Sequence, residues 1–273
     1  MIEAPEKNKF YFCQVPFGTT MNSNKISTPL KLNVHSIESF GTHDGPGVRS
    51  VIFLQGCKLK CIYCHNPDTI AMEGGMEYSI EELLDKVLKM KPYYGKKGGV
   101  TVSGGEPLLQ AKALLPFFKR LKAEGIHTNL DTNGRILNHF TKELLDDYTD
   151  LVMLDIKHMT ENGFQAITGM PNKETTFNLA KYREASGKKM WLRYVLIPGK
   201  TDSPELLHQM GKYFEGYTTI ERFEIQPYHK LGIHKWEALG WEYPLKDARE
   251  NTDEELKAAV HLLQDYFKTV TVN

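Results

Sequence analysis

"GCKLKCIYCHNPD", residues 56–68, holds Cys57, Cys61 and Cys64 within eight positions, and the whole 273-residue chain has only four cysteines. Directly before it runs "VRSVIFLQG" (48–56), a β-branched and apolar stretch that reads as a buried strand. Three thiols therefore leave the end of a strand on one short loop. Similar apolar runs recur downstream, "GGVTVSGG" (98–105), "HTNLDTNG" (127–134), "LVMLDIK" (151–157), "KMWLRYVLIPG" (189–199) and "RFEIQPYH" (222–229).

Helical patterns alternate with these runs. "SIEELLDKVLKM" opens on a capping box, Ser79 with Glu82. "PLLQAKALLPFFKRLKAEG" ends on Gly125, suited to a C-cap. "TKELLDDY", "TFNLAKYREASG", "SPELLHQMGKYFEG" and "DEELKAAVHLLQDYF" continue the series. Six strand–helix units predict a parallel sheet. No glycine-rich dinucleotide fingerprint follows the first strand, so the expected fold is an α/β partial TIM-type barrel of about six parallel β/α units. Residues 1–33 are polar and without period, and read as an extension of low order that carries Cys13. Residues 34–273 read as one core domain.

Apolar residues make up 41% and charged residues 25%, and Lys plus Arg equals Asp plus Glu at 34 each. That composition suits a globular chain and speaks against nucleic-acid or acidic-lipid partners. No apolar run reaches the length of a membrane span, and the N-terminus lacks the pattern of a signal peptide. The expectation is a cytoplasmic protein whose clustered thiols are reduced.

In a barrel, function gathers at the C-terminal ends of the strands. There the sequence puts Gly56–Cys57, Gly104–Gly105–Glu106, Asp131, Asp155–Ile156–Lys157 and His229, with Arg193 inside the fifth strand. The C-x3-C-x2-C loop has several readings. A disulfide leaves one thiol over. Structural zinc wants four ligands, and His65 could supply the fourth, but adjacent Cys64 and His65 meet one tetrahedral ion poorly. Chance clustering fits badly with so polar a rim. An iron–sulfur cluster usually takes four cysteines; Cys13 in the extension could be a fourth, and otherwise three thiolates leave one iron open to a substrate.

The C-x3-C-x2-C loop and Gly104–Gly105–Glu106–Pro107 resemble the two motifs of the radical S-adenosylmethionine superfamily. "FGTHDGPGVRSVIFLQGCKLKCIYCHNPD", "VTVSGGEPLLQ", "GIHTNLDTNG", "DLVMLDIK", "WLRYVLIPG" and "QPYHKLGIHKW" together resemble its glycyl-radical activases, over residues 34 to about 270. The resemblance implies a 4Fe-4S cluster on Cys57, Cys61 and Cys64, with S-adenosylmethionine as the remaining ligand. It implies reductive cleavage of that cofactor to methionine and a 5′-deoxyadenosyl radical, which takes a hydrogen from a backbone glycine of pyruvate formate-lyase.

By the same resemblance Gly104 and Gly105, with Glu106, hold the cofactor's amino end, and Lys157 meets its carboxylate. Asp131, Asp155 and Ile156 support that end, with a monovalent cation near Asp131 and Asp155. Tyr63, Cys64, His65 and His229 face the nucleoside. Asp44 and Arg193 are candidates for gripping the glycine-bearing peptide, although Gly-Pro-Gly at 45–47 reads equally as a turn and Arg193 equally as a structural ion pair. The expected electron donor is reduced flavodoxin or ferredoxin, and the expected state a monomer.

Rival readings are an activase of a different glycyl-radical enzyme, a non-catalytic zinc module, and an electron carrier. Cysteine-rich inserts mark several other activases, and no cysteine follows Cys64.

Overall fold

A computed structural model describes residues 29–273. The expected extension, with Cys13, lies outside the described residues save for its last five positions. Those five already enter the fold, because the first strand begins at Lys31 rather than at the expected boundary of 34.

Nine strands form one sheet: β1 (Lys31–Gly41), β2 (Arg49–Leu54), β3 (Met76–Ser79), β4 (Gly99–Gly104), β5 (His127–Thr132), β6 (Leu151–Asp155), β7 (Met190–Leu196), β8 (Ile220–Pro227) and β9 (Val270–Val272). Their order is β3-β1-β2-β4-β5-β6-β7-β8-β9. From β2 through β9 every neighbour is parallel, while β1 pairs antiparallel with β2 and β3. All six expected strands are present. The sheet adds the short β9 at one edge and the β1–β3 pair at the other. Among the described residues those two edges do not pair, so the barrel stays open.

The helices are α1 (Ile80–Tyr94), α2 (Ala111–Ala123), α3 (His139–Glu143), α4 (Glu161–Thr168), α5 (Glu174–Ala185), α6 (Pro204–Phe214), α7 (Ile233–Ala238) and α8 (Asp253–Leu263). The capping box at α1 forms as expected: the Glu82 amide donates to Ser79 Oγ and the Ser79 amide to the Glu82 carboxylate. Thr252 and Glu255 repeat it at α8.

Side chains alternate across each strand, and that alternation sorts the two faces. Val100, Val102, Leu130, Val152, Leu154, Leu192, Phe223 and Ile225 point outward. There they join Leu83 and Val87 of α1, Phe117 and Phe118 of α2, and Phe214 of α6 in the main core. Their strand neighbours point inward. Thr101, Ser103, Asn129, Asp131, Asp155, Arg193 and Glu224 line the lumen, with Met153 and Trp191 as an apolar floor. Burial on both faces explains why the parallel strands read as continuous runs.

A cysteine loop beside a carboxylate-lined cleft

The cysteine loop is tied down at its base, middle and tip. At the base, the Gly56 amide donates to Thr69 O at 2.8 Å and the Cys57 amide to Ile70 O at 3.1 Å. In the middle, Lys60 and Ile62 donate to Thr168 O and Ile167 O at the end of α4. At the tip, Trp236 Nε1 of α7 donates to Cys64 O at 2.9 Å. Leu59, Tyr63, Ile167, Ile197 and Trp236 form a second apolar cluster beneath the loop.

All three cysteines are free thiols and line a single cleft of about 240 Å³ at the C-terminal ends of the strands. Burial pushes the Cys57 and Cys64 thiols up to about 12, and raises Cys61 as well. Asn133 Nδ2 approaches Cys57 Sγ at 3.9 Å.

Behind Cys57 lies the turn after β4. Gly104 has φ +104°, and a Cβ there would meet Leu54 N at 2.3 Å; at Gly105 it would meet Gly56 O at 2.2 Å. Only glycine lets the two backbones close in this way. The Gly105 amide then donates to Leu54 O, and the Glu106 amide to Gly56 O, both at 2.8 Å.

The carboxylate rim lies across the cleft. Asp155 Oδ2 pairs with Lys157 Nζ at 2.7 Å, and that ammonium stands 5.4 Å over the Tyr63 ring. Burial lowers the Lys157 pKa, but Asp155, Tyr63 and Cys61 outweigh it and hold it well above the usual lysine value. Asp131 Oδ2 accepts from Ser103 Oγ at 2.7 Å and from Arg193 Nη1 at 2.9 Å, while its buried Oδ1 has no partner. His65 and His229 stack at 4.1 Å at the cleft wall.

Cys57, Cys61, Tyr63, Cys64, His65, Gly104, Gly105, Asp131, Asp155, Lys157, Arg193 and His229 all line this cleft. Three expected residues do not. The Ile156 side chain points outward into the main core, as alternation between Asp155 and Lys157 requires. The Glu106 carboxylate caps the turn instead, accepting from Leu108 N, Thr132 Oγ1 and Asn133 N at 2.6–2.9 Å. Burial raises it to about 7.

Asp44 lies deeper in the lumen. Its carbonyl accepts from Thr101 Oγ1 and Asn129 Nδ2. Burial, then the Asp131 charge, lifts its carboxyl to about 6. Arg193 makes the ion pair its structural reading foresaw, and it also lines the cleft. Gln226, with its amide oxygen toward the guanidinium, accepts from Arg193 Nε at 2.9 Å. Sequence reasoning placed Asn133 only among the polar strand ends and did not single out Ser103 or Gln226. The signals were the alternation on β4 and β8 and the Asn133–Gly134 turn.

The donor set fits a multi-iron cluster. Three soft thiols face one cleft with no disulfide between them. His65, the fourth ligand of that zinc reading, instead directs Nε2 at His229 O, 3.3 Å away.

A parallel partial barrel with three thiols on its first strand-end loop defines a class, and the radical SAM superfamily model matches residues 51–210. The chain belongs to the radical SAM superfamily, whose members carry a 4Fe-4S cluster and S-adenosylmethionine. Within it, the chain is 44% identical over 239 residues to the pyruvate formate-lyase-activating enzyme of Staphylococcus aureus (strain USA300), covering 84% of this chain and 94% of that one. The same identity holds for the enzyme of strain COL. Among solved structures, Streptococcus suis SuiB bound to S-adenosylmethionine superposes with TM-score 0.61 at 18% identity, over 80% of this chain and 48% of that one. That likeness supports the partial-barrel fold. Among the described residues no helix is long and apolar enough to cross a membrane.

Proposed function

We propose that this chain activates pyruvate formate-lyase by installing a glycyl radical in its backbone. The observation that carries this reading is three free thiols on one pinned loop, facing a cleft walled by a glycine turn and paired carboxylates. The 44% identity to a pyruvate formate-lyase-activating enzyme supports the choice of protein substrate. The cluster and S-adenosylmethionine supply the hard chemistry, one-electron cleavage that yields a radical able to take hydrogen from a glycine.

The chain's own residues bind, orient and shield. Cys57, Cys61 and Cys64 hold the cluster, and loading it displaces the protons of buried thiols. The backbone of Gly104 and Gly105 takes the amino end of the cofactor. Lys157, paired with Asp155 at 2.7 Å, would meet its carboxylate. Tyr63 and the His65–His229 pair face the nucleoside. Asp131 and Asp155 hold a monovalent cation, a reading supported by the buried, unpartnered Oδ1 of Asp131. Asp44 and Arg193 line the path of the glycine peptide.

Glu106 and Ile156 act from outside the cleft, Glu106 by fixing the turn and Ile156 by seating β6 in the core. The electron donor is reduced flavodoxin or ferredoxin. Residues 31–273 act as one domain of a monomeric cytoplasmic enzyme, a setting consistent with three reduced thiols.

Single substitutions Cys57→Ala, Cys61→Ala and Cys64→Ala test the ligand set. Each is expected to lose most iron and sulfide on anaerobic reconstitution, and to form no 5′-deoxyadenosine. A variant that keeps full iron, sulfide and cleavage would remove that residue from the ligand set.

A further inference from the structure

Asn133 follows directly on β5 and is 7% exposed. Three of its hydrogen-bonding groups are engaged by the fold. Its backbone amide donates to Glu106 Oε2 at 2.9 Å, its carbonyl accepts from Thr176 Oγ1 at 2.8 Å, and its side-chain Oδ1 accepts from the Arg135 amide at 3.1 Å. The last bond closes a local turn and fixes which way the side-chain amide faces, because exchanging oxygen for nitrogen would set two N–H donors against each other. Nδ2 is thereby aimed into the cleft, where its partner is Cys57 Sγ at 3.9 Å.

That contact sets Cys57 apart. Among the described residues it is the only one of the three loop thiols that a side-chain donor reaches. The loop's own backbone supplies other donors, from Leu59 to Cys57 and from Asn66 to Cys64. Burial, then the Glu106 charge, oppose a negative sulfur at Cys57, and an N–H pointed at that sulfur works the other way.

We propose that Asn133 is a positioning residue for the electron: its side-chain amide donates to the Cys57 thiolate and so raises the reduction potential of the cluster held there. The inference rests on the function proposed above, and more narrowly on Cys57 as a cluster ligand. One-electron reduction adds negative charge that the ligand sulfurs share, while an external one-electron reductant is oxidised; no proton moves and no bond breaks. A donor aimed at one of those sulfurs favours the reduced state over the oxidised one. Asn133 is held at three other atoms, so the donor is in place before the electron arrives.

The test uses the anaerobically reconstituted chain without S-adenosylmethionine. Asn133→Ser keeps an oxygen able to accept from the Arg135 amide but is too short to reach Cys57. Asn133→Asp keeps the shape and the acceptor, and turns a carboxylate oxygen toward the sulfur. Reduction potentials are read by stepwise dithionite titration, with the paramagnetic resonance signal of the reduced cluster as the measure. The serine variant is expected to be about three- to tenfold harder to reduce, a drop of about 30–60 mV for one electron. The aspartate variant should drop further.

Potentials equal to that of the unchanged chain in both variants would overturn the proposal and leave Asn133 as a brace for the turn. Where a variant takes up no cluster, the unchanged chain decides, carrying heavy nitrogen only in its asparagine side-chain amides. Pulsed resonance of its reduced cluster should show coupling to that nitrogen, and no coupling would overturn the proposal. Failure of the functional reading is separate: if the unchanged chain forms no glycyl radical on pyruvate formate-lyase while the variants shift the potential, the protein substrate is lost and the role of Asn133 stands.

Discussion

Arg193 is held between acids. Its Nη1 lies 2.9 Å from Asp131, its Nε lies 3.7 Å from Glu224, and both carboxylates are nearly buried. Burial works against its charge, but Asp131, Asp155 and Glu224 outweigh burial and raise its pKa. Removing one partner of such a cluster strands the others, so Arg193→Ala should cost about 3–5 kcal/mol in denaturant unfolding, and Arg193→Lys much less. A smaller loss from the alanine variant would show that the guanidinium is there for substrate rather than for the barrel.

His127 contributes one part of the pH dependence, opposite in sign to the raised carboxyls of Asp44 and Glu106. Burial, then the neighbouring Arg49 charge, lowers its pKa from 6.5 to about 4, and its Nδ1 accepts from Arg49 Nη2 at 3.2 Å. The unfolded chain therefore binds a proton at higher pH than the folded one does. Stability from this residue is intact above pH 6.5 and falls as pH drops toward 4, with a slope of at most about 1.4 kcal/mol per pH unit. His127→Asn should flatten that part of a stability–pH curve. An unchanged curve would exclude His127 as the titrating group.

Legibility at this scale followed chemistry. Three clustered thiols announce themselves. The resemblance puts Ile156 and Glu106 at the cofactor, while alternation turns the Ile156 side chain into the core and the Glu106 carboxylate caps the turn after β4. The polar lumen row from Thr101 to Glu224 was legible only once the parallel register was known.

At the scale of elements, the site depends on how the β4 turn meets the cysteine loop. Gly105→Ala would drive a Cβ into Gly56 O, now 2.2 Å from that position, and Thr69 O at 3.0 Å. Both are backbone atoms of the loop base, so the loop must shift. The expected cost is about 1–3 kcal/mol, with reduced iron uptake on reconstitution. Normal uptake and an unchanged melting temperature would mean the turn yields without disturbing the thiols.

Trp236→Phe keeps the apolar bulk of α7 but leaves Cys64 O without its indole donor. A lost partner for this part-buried carbonyl is expected to cost about 1 kcal/mol, measurable as a lower melting temperature. The six buried parallel strands were legible as continuous β-branched runs. The β1–β3 pair was not, because "KLNVHSIESFG" mixes exposed and buried positions without a clean period. Helices α4 and α7 are short, and they owe their stability to the cysteine loop they hold rather than to their own pattern.

For the whole molecule, the two sheet edges stay unpaired among the described residues while backbone hydrogen bonds tie down the cysteine loop. Strand β1 begins at Lys31. A chain starting at Pro29 is expected to keep the parent melting temperature within error and to take up the same iron. A large drop would assign residues 1–28 a part in the fold.

The central claim is radical transfer to a glycine of another protein. The direct measurement is an electron paramagnetic resonance spectrum of the anaerobically reconstituted chain mixed with reductant, S-adenosylmethionine and pyruvate formate-lyase. The account predicts a glycyl-radical doublet that is absent when any one component is left out. Protein shown to hold a four-iron cluster that yields neither the doublet nor 5′-deoxyadenosine would contradict it.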